Sequence, residues 1–271
     1  MQNNLPPEEI KRRRGIYLLP NAFTTANLFA GFFAVVQAMN GRFEMAAIAI
    51  FLALVFDGMD GRVARLTNTQ SAFGEQYDSL ADMISFGMAP ALVMYVWALQ
   101  GLGRWGWLAA FVYVVGAALR LARFNINIAV VDKRFFQGLP SPAAAALVAG
   151  FVWLAVDNKF TFSANVVPWV GFVLTVYAGV AMVSNAPFYS GKSFALRRSV
   201  PFWVMLVLVA VFVSVSADPP LVLFGMFVIY GLSGWFIMAW RWRRARQLTR
   251  SRSESGATDH TSSGQTPSDK Q

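Results

Sequence analysis

The chain has 271 residues, of which 56% are hydrophobic and only 14% charged, with a formal net charge of +9. That composition lies outside the range of soluble domains and places most of the chain in lipid, so the basic excess reads as the charge bias of membrane-protein loops rather than as a nucleic-acid surface. Cysteine is absent and the single histidine, His260, sits in a polar tail. Disulfides and thiolate chemistry are excluded, and histidine has no place in any buried site.

Apolar segments recur at 16–39, 43–66, 76–99, 104–124, 141–157, 166–187, 200–217 and 219–240. About 20 helical residues cross the hydrocarbon core, and isolated strands cannot span it. The spacing therefore predicts an all-α integral membrane protein of about eight transmembrane helices. The first segment follows Lys11-Arg12-Arg13-Arg14 and shows no small-residue cleavage site, as expected of a retained span rather than a signal peptide. With residues 1–15 in the cytoplasm, only Arg42, Arg104 and Lys159 of the 23 basic residues fall on the far side. An even number of spans returns the C-terminus to the cytoplasm, where Arg241-Trp242-Arg243-Arg244 marks the boundary. Residues 242–271 are expected to form a disordered cytoplasmic tail, because Ser, Thr, Gly, Asp and Gln dominate from Ser251 onward.

One segment departs from the membrane pattern. It runs Phe56-Asp57-Gly58-Met59-Asp60-Gly61-Arg62-Val63-Ala64-Arg65 and continues to Gly74, Asp78 and Asp82. Asp57 and Asp60 are three apart and Asp78 and Asp82 four apart, so each pair shares a helix face. A short connection makes the two helices antiparallel neighbours whose facing ends bring the pairs together. Four converging carboxylates repel and require positive charge. Arg62 and Arg65 supply part of it; one or two Mg²⁺ or Mn²⁺ ions suit an all-oxygen site better and would recruit phosphate. Gly58, Gly61, Ala64 and Gly74 are small at the flanking positions, which lets a helix or a ligand approach the backbone.

Asp57-x-x-Asp60-Gly61-x-x-Ala64-Arg65, eight residues, then Gly74-x-x-x-Asp78-x-x-x-Asp82 resembles the signature of the CDP-alcohol phosphotransferases at every fixed position. The resemblance implies a six-helix core, here 16–187, with two further transmembrane helices over 188–241. It implies a multi-pass enzyme of the inner membrane, with its site on the cytoplasmic side among membrane lipids, and is compatible with a homodimer. It also implies transfer of a phosphatidyl group from CDP-diacylglycerol to an alcohol, with release of CMP. By the same analogy Asp57, Asp60, Asp78 and Asp82 hold two Mg²⁺ or Mn²⁺ ions, and Asp82 is the general base. Gly61, Ala64, Arg65 and Gly74 line the nucleotide and phosphate pocket; Arg65 has a second reading as an ion pair orienting one of the acids. Thr24 and Asn27 are further nucleotide candidates, with helix–helix hydrogen bonding as the alternative.

Three more segments are similar to the branch of the family that takes L-serine: residues 85–91, Arg120-Leu121-Ala122-Arg123-Phe124-Asn125, and Gly138-Leu139-Pro140-Ser141-Pro142. A fourth runs from Met182-Val183-Ser184 to Lys192. A carboxylate acceptor calls for the bidentate fork of arginine. Arg120, Arg123, Asn125, Ser85 and Lys192 are therefore the acceptor-site candidates, with topology anchoring and phosphate binding as other readings of the two arginines. The Gly-Leu-Pro-Ser-Pro segment is expected to shape a helix start. Glycerol 3-phosphate, inositol and inositol phosphate are the alternative acceptors, and a cation transporter is the alternative of another class.

Overall fold

In the computed structural model, residues 7–67, 69, 71–127, 135–157, 163, 165–189 and 202–262 are described. Helix α1 (Pro7–Met39) turns through Gly41, at φ 72°, into antiparallel α2 (Phe43–Leu66). The third rod is a composite. It begins as α3 (Ala72–Asp82), widens to π-helix over Met83–Met88, resumes as α4 (Ala89–Met94), widens again over Tyr95–Leu99 and ends in a 3₁₀ turn. Then follow α5 (Arg104–Asn127), strand β1 (Phe135–Gln137), α6 (Ser141–Val156), α7 (Val167–Val183), β2 (Pro187–Tyr189), α8 (Phe202–Ala217) and α9 (Pro219–Ser262).

The protein is mostly helical. Among the described residues, four segments are long and apolar enough to cross a membrane: Pro20–Met39, Ala72–Leu102, Arg104–Ile126 and Pro219–Trp240. Helices α6, α7 and α8 are apolar but shorter, and α2 carries Asp57, Asp60, Arg62 and Arg65 in its last three turns.

Two expectations need correction. The chain is not wholly helical: β1 and β2 pair antiparallel, with Phe136 opposite Phe188. The pairing satisfies backbone groups at the point where the chain leaves α5 and α7. Residues 242–262 of the expected disordered tail continue α9, and residues 263–271 lie outside the described residues. A membrane helix has already met the cost of nucleation, so Ala245, Arg246, Gln247 and Leu248 extend it at propagation cost only.

Helix α6 forms the centre. Residues 143–152 are all buried, and the small run Ala143, Ala144, Ala145 and Ala146 lets α2, α7 and α9 approach its axis. Its first turn carries Pro142, as the sequence suggests. The preceding Gly138 must be glycine: its φ is 81°, and a Cβ would strike the carbonyl oxygens of Met182 and Ser184. The amides of Gly138 and Leu139 donate to Ala186 O and Ala181 O at 3.0 and 2.9 Å, pinning the start of α6 to the end of α7. Helices α5 and α7 cross at Gly116 and Gly179, where a side chain on either would meet the other helix's backbone. Helix α8 packs mainly on α9 and turns Phe202, Trp203, Leu206 and Phe212 outward, a surface suited to lipid.

Gly179→Leu is expected to destabilise the protein by ~3 kcal/mol or more, since backbone on both sides leaves no room for repacking. A lowered thermal midpoint in detergent would register this; an unchanged midpoint would show that α5 and α7 do not cross so closely.

Candidate active site

Helix α2 ends where Thr67 N–H and Oγ1 turn back to Val63 O at 2.9 and 2.8 Å and Thr69 N–H donates to Ala64 O at 3.1 Å. Two residues later Ser71 caps α3, its Oγ accepting from Gly74 N–H at 3.0 Å. This tight reversal turns the chain from α2 into α3; both helices pack on α1, and the acids near their facing ends approach one another. One carboxylate oxygen from each of Asp57, Asp60 and Asp78 lies within 4.8 Å of the others. The tight group is thus the triad Asp57, Asp60 and Asp78, and Asp82 lies outside it.

Helix α1 supplies neutral donors to the cluster. Thr24 Oγ1 donates to Asp60 Oδ2 at 3.0 Å, and Asn27 Nδ2 donates to Asp82 Oδ1 at 3.1 Å. Among the described residues no arginine donates to any of the four carboxylates: Arg62 and Arg65 are exposed, and the guanidinium bonds of Arg120 and Arg123 go elsewhere. Asp78 Oδ1 is buried with no partner. Three converging hard oxygens, one of them on a residue with an orphaned buried atom, fit Mg²⁺ or Mn²⁺.

Beside the triad opens a cavity of about 360 Å³, within the range of small-molecule sites. Thr24, Asp60, Gly61, Ala64, Arg65, Gly74 and Asp78 line it, which brings most of the nucleotide candidates to one cavity. A Cβ on Gly61 would meet no protein atom within 4 Å. Packing within the protein therefore does not demand glycine there, whereas a ligand seated on that backbone would. Gly74 is different: a Cβ would crowd Ser71 Oγ at 3.2 Å and Asn21 Oδ1 at 3.5 Å. Asn27 does not line the cavity, and its amide serves the helix–helix bond to Asp82.

The acceptor candidates separate. Asn125 lines the same cavity and exchanges a 3.2 Å hydrogen bond with Ser79, so it belongs to the wall assigned to the nucleotide. Ser85 is 0% exposed and donates to Asn27 O at 2.9 Å, which removes it from contact with an acceptor. Arg120 Nη1 donates to Ser141 Oγ at 2.6 Å, and its charge acts on Asp57 and Asp82 from outside the cavity. Arg123 Nη1 donates to Val183 O at 3.2 Å and Asn185 Oδ1 at 3.1 Å. Lys192 lies outside the described residues. Sequence reasoning missed Asn21, Ser71, Glu75 and Ser79 in the wall. It also missed Ser141 and Asn185 as partners of the arginines. Ser79, next to Asp78, was the most findable of these.

Residues 17–177 match the family model described as CDP-alcohol phosphatidyltransferase. The chain belongs to that family. It is similar to the CDP-diacylglycerol–serine O-phosphatidyltransferase of Helicobacter pylori, at 39% identity over 227 residues, covering 82% of this chain and 93% of the relative. Proteins of the same name from Methanocaldococcus jannaschii and Saccharomyces cerevisiae are 33% identical over 183 residues and 39% identical over 144. These cover 67% and 48% of this chain, and 79% and 51% of the relatives. The family match ends inside α7, so α8 and α9 lie beyond it.

Gly61→Leu is expected to leave the thermal midpoint unchanged, since the side chain enters open space, and to weaken CMP binding at least tenfold by calorimetry. Unaltered CMP affinity would place the nucleotide elsewhere.

Proposed function

We propose that this protein transfers the phosphatidyl group of CDP-diacylglycerol to the hydroxyl of L-serine, giving phosphatidylserine and CMP. The observation that carries the reaction class is the convergence of Asp57, Asp60 and Asp78 beside a cavity floored by Gly61. Serine as the acceptor is supported by the near full-length similarity to the Helicobacter pylori enzyme.

The residues have the following roles in this reading. Asp57, Asp60 and Asp78, with Asp82 adjoining, would hold two Mg²⁺ or Mn²⁺ ions. Such ions, when bound, neutralise the pyrophosphate and the developing charge on the departing CMP. Thr24 fixes Asp60 in the triad. Gly61, Ala64, Gly74 and Asn125 give the nucleotide its wall, and exposed Arg65 takes phosphate oxygens at the cavity edge. Asp82 accepts the proton of the serine hydroxyl as that oxygen bonds to the lipid-bearing phosphorus and the bond from phosphorus to CMP breaks. In this reading the serine hydroxyl attacks phosphorus directly, without a covalent enzyme intermediate. Arg120 spends one N–H on Ser141 and presents the rest of its planar fork to the serine carboxylate.

The same reading places the protein in the inner membrane with eight spans, both termini cytoplasmic and the acids at the cytoplasmic boundary. A lipid substrate arrives there sideways and serine from water. Pairing of two copies as a homodimer belongs to this reading as well.

Purified protein supplied with CDP-diacylglycerol and Mn²⁺ or Mg²⁺ is expected to release CMP when L-serine is added, and Asp82→Asn to lose at least a hundredfold in kcat. Glycerol 3-phosphate, inositol and inositol phosphate should not replace serine. Release with one of those and not with serine would retain the chemistry and discard the acceptor.

A further inference from the structure

Asp82 leaves α3 where the helix widens into the π-helical turn Met83–Met88, a departure from regular geometry that recurs at functional sites. Two hydrogen bonds fasten α1 to this turn. Asn27 Nδ2 donates to Asp82 Oδ1 at 3.1 Å. Ser85, three residues beyond Asp82, donates its hydroxyl to the backbone carbonyl of the same Asn27 at 2.9 Å. Asn27 and Ser85 are both 0% exposed. One turn along α1, Gly31 makes the approach possible: a Cβ there would collide with Ser85 Oγ and Cα. The two bonds and the glycine contact fix both the height and the rotation of α3 on α1, and with them the direction of the Asp82 side chain.

Packing alone does not account for an asparagine at position 27. Its Oδ1 is buried without a partner, and an unsatisfied buried acceptor destabilises the folded state. An apolar side chain of similar size would carry no such penalty. Nor does nucleotide contact account for it, since Asn27 is not in the cavity wall. What the residue does provide is one amide donor, aimed at Asp82.

We infer that Asn27, braced by Ser85, is a positioning residue that holds Asp82 Oδ1 and so sets the direction in which this carboxylate meets the acceptor hydroxyl. The inference rests on the reading of Asp82 as the general base. It converts Asn27 from a nucleotide contact and Ser85 from an acceptor contact into supports of one catalytic carboxylate.

Asn27→Leu, Ser85→Ala and Asp82→Asn, prepared side by side, test this through kcat, KM for both substrates, CMP affinity by calorimetry and thermal midpoint. Loss of an orienting hydrogen bond of this kind costs about ten- to a hundredfold in activity, so Asn27→Leu is expected to lose that much kcat. Its KM values and CMP affinity should stay at wild-type levels, and it should remain folded at the assay temperature. Ser85→Ala should show a smaller loss of kcat with the same unchanged binding. Wild-type kcat in Asn27→Leu beside an inactive Asp82→Asn would overturn the inference alone. Weaker CMP binding with a raised KM for CDP-diacylglycerol would make Asn27 a nucleotide contact instead, and unfolding of Asn27→Leu at the assay temperature would make its role structural. An active Asp82→Asn would remove the base assignment, and this inference with it.

Discussion

The structure is organised around a repulsion. Three carboxylate oxygens within 4.8 Å of one another would, if all were charged, oppose each other by about 3 kcal/mol per pair at an effective dielectric constant of 20. Thr24 and Asn27 each contribute one neutral-donor hydrogen bond to an acid, and such bonds stabilise by only about 1–3 kcal/mol. Only the Thr24 bond reaches the triad, and it does not offset three repulsive pairs. Arg62 and Arg65 are exposed and donate to none of the four acids among the described residues, and Arg120 acts from beyond the triad. The fold therefore assembles a cluster of carboxylates that could hold a metal ion.

Much of the remaining architecture keeps that arrangement rigid. The capped reversal from Thr67 to Ser71 turns the chain from α2 into α3. Helix α1 lies across both and bonds to one acid from each pair. Behind them the alanine face of α6 brings α2, α7 and α9 close together. Gly138, in the left-handed region, lets the chain enter α6 with Ser141 under the Arg120 guanidinium. The region beyond the family match is integral to this packing: Tyr177 donates to Gly231 O at 2.8 Å, and the rings of Phe188 and Tyr230 lie 5.8 Å apart. Helix α9 thus closes the side of the bundle on which the arginines are held.

The acid constellation was legible because its information is local. Period 3.6 alone puts Asp57 with Asp60 and Asp78 with Asp82, and a short loop alone makes the pairs face one another. The limits of α2 and α6 and the start of α5 were legible for a similar reason, since apolar runs stop at turn residues such as Gly41 and Gly103, both at positive φ. What was not legible depends on which side chains meet across helices. Nothing within residues 79–85 indicates that Ser85 bonds to the Asn27 carbonyl rather than a substrate, or that Asn125 faces Ser79 instead of the arginines. The strand pair joins segments some fifty residues apart, beyond the reach of a periodicity argument. The helical extension of α9 was hidden by composition, because a polar segment attached to a membrane helix inherits a nucleus that an isolated one lacks.

The central claim is that the three converged carboxylates form a divalent-cation site before any substrate arrives. Titration of Mn²⁺ into the purified protein without lipid or nucleotide, followed by electron paramagnetic resonance of the free ion, tests it most directly, with Asp78→Asn as the comparison. Saturable binding to the wild type that weakens at least tenfold in the variant is the expected result. Equal binding by both proteins, or none by a correctly folded wild type, would contradict it.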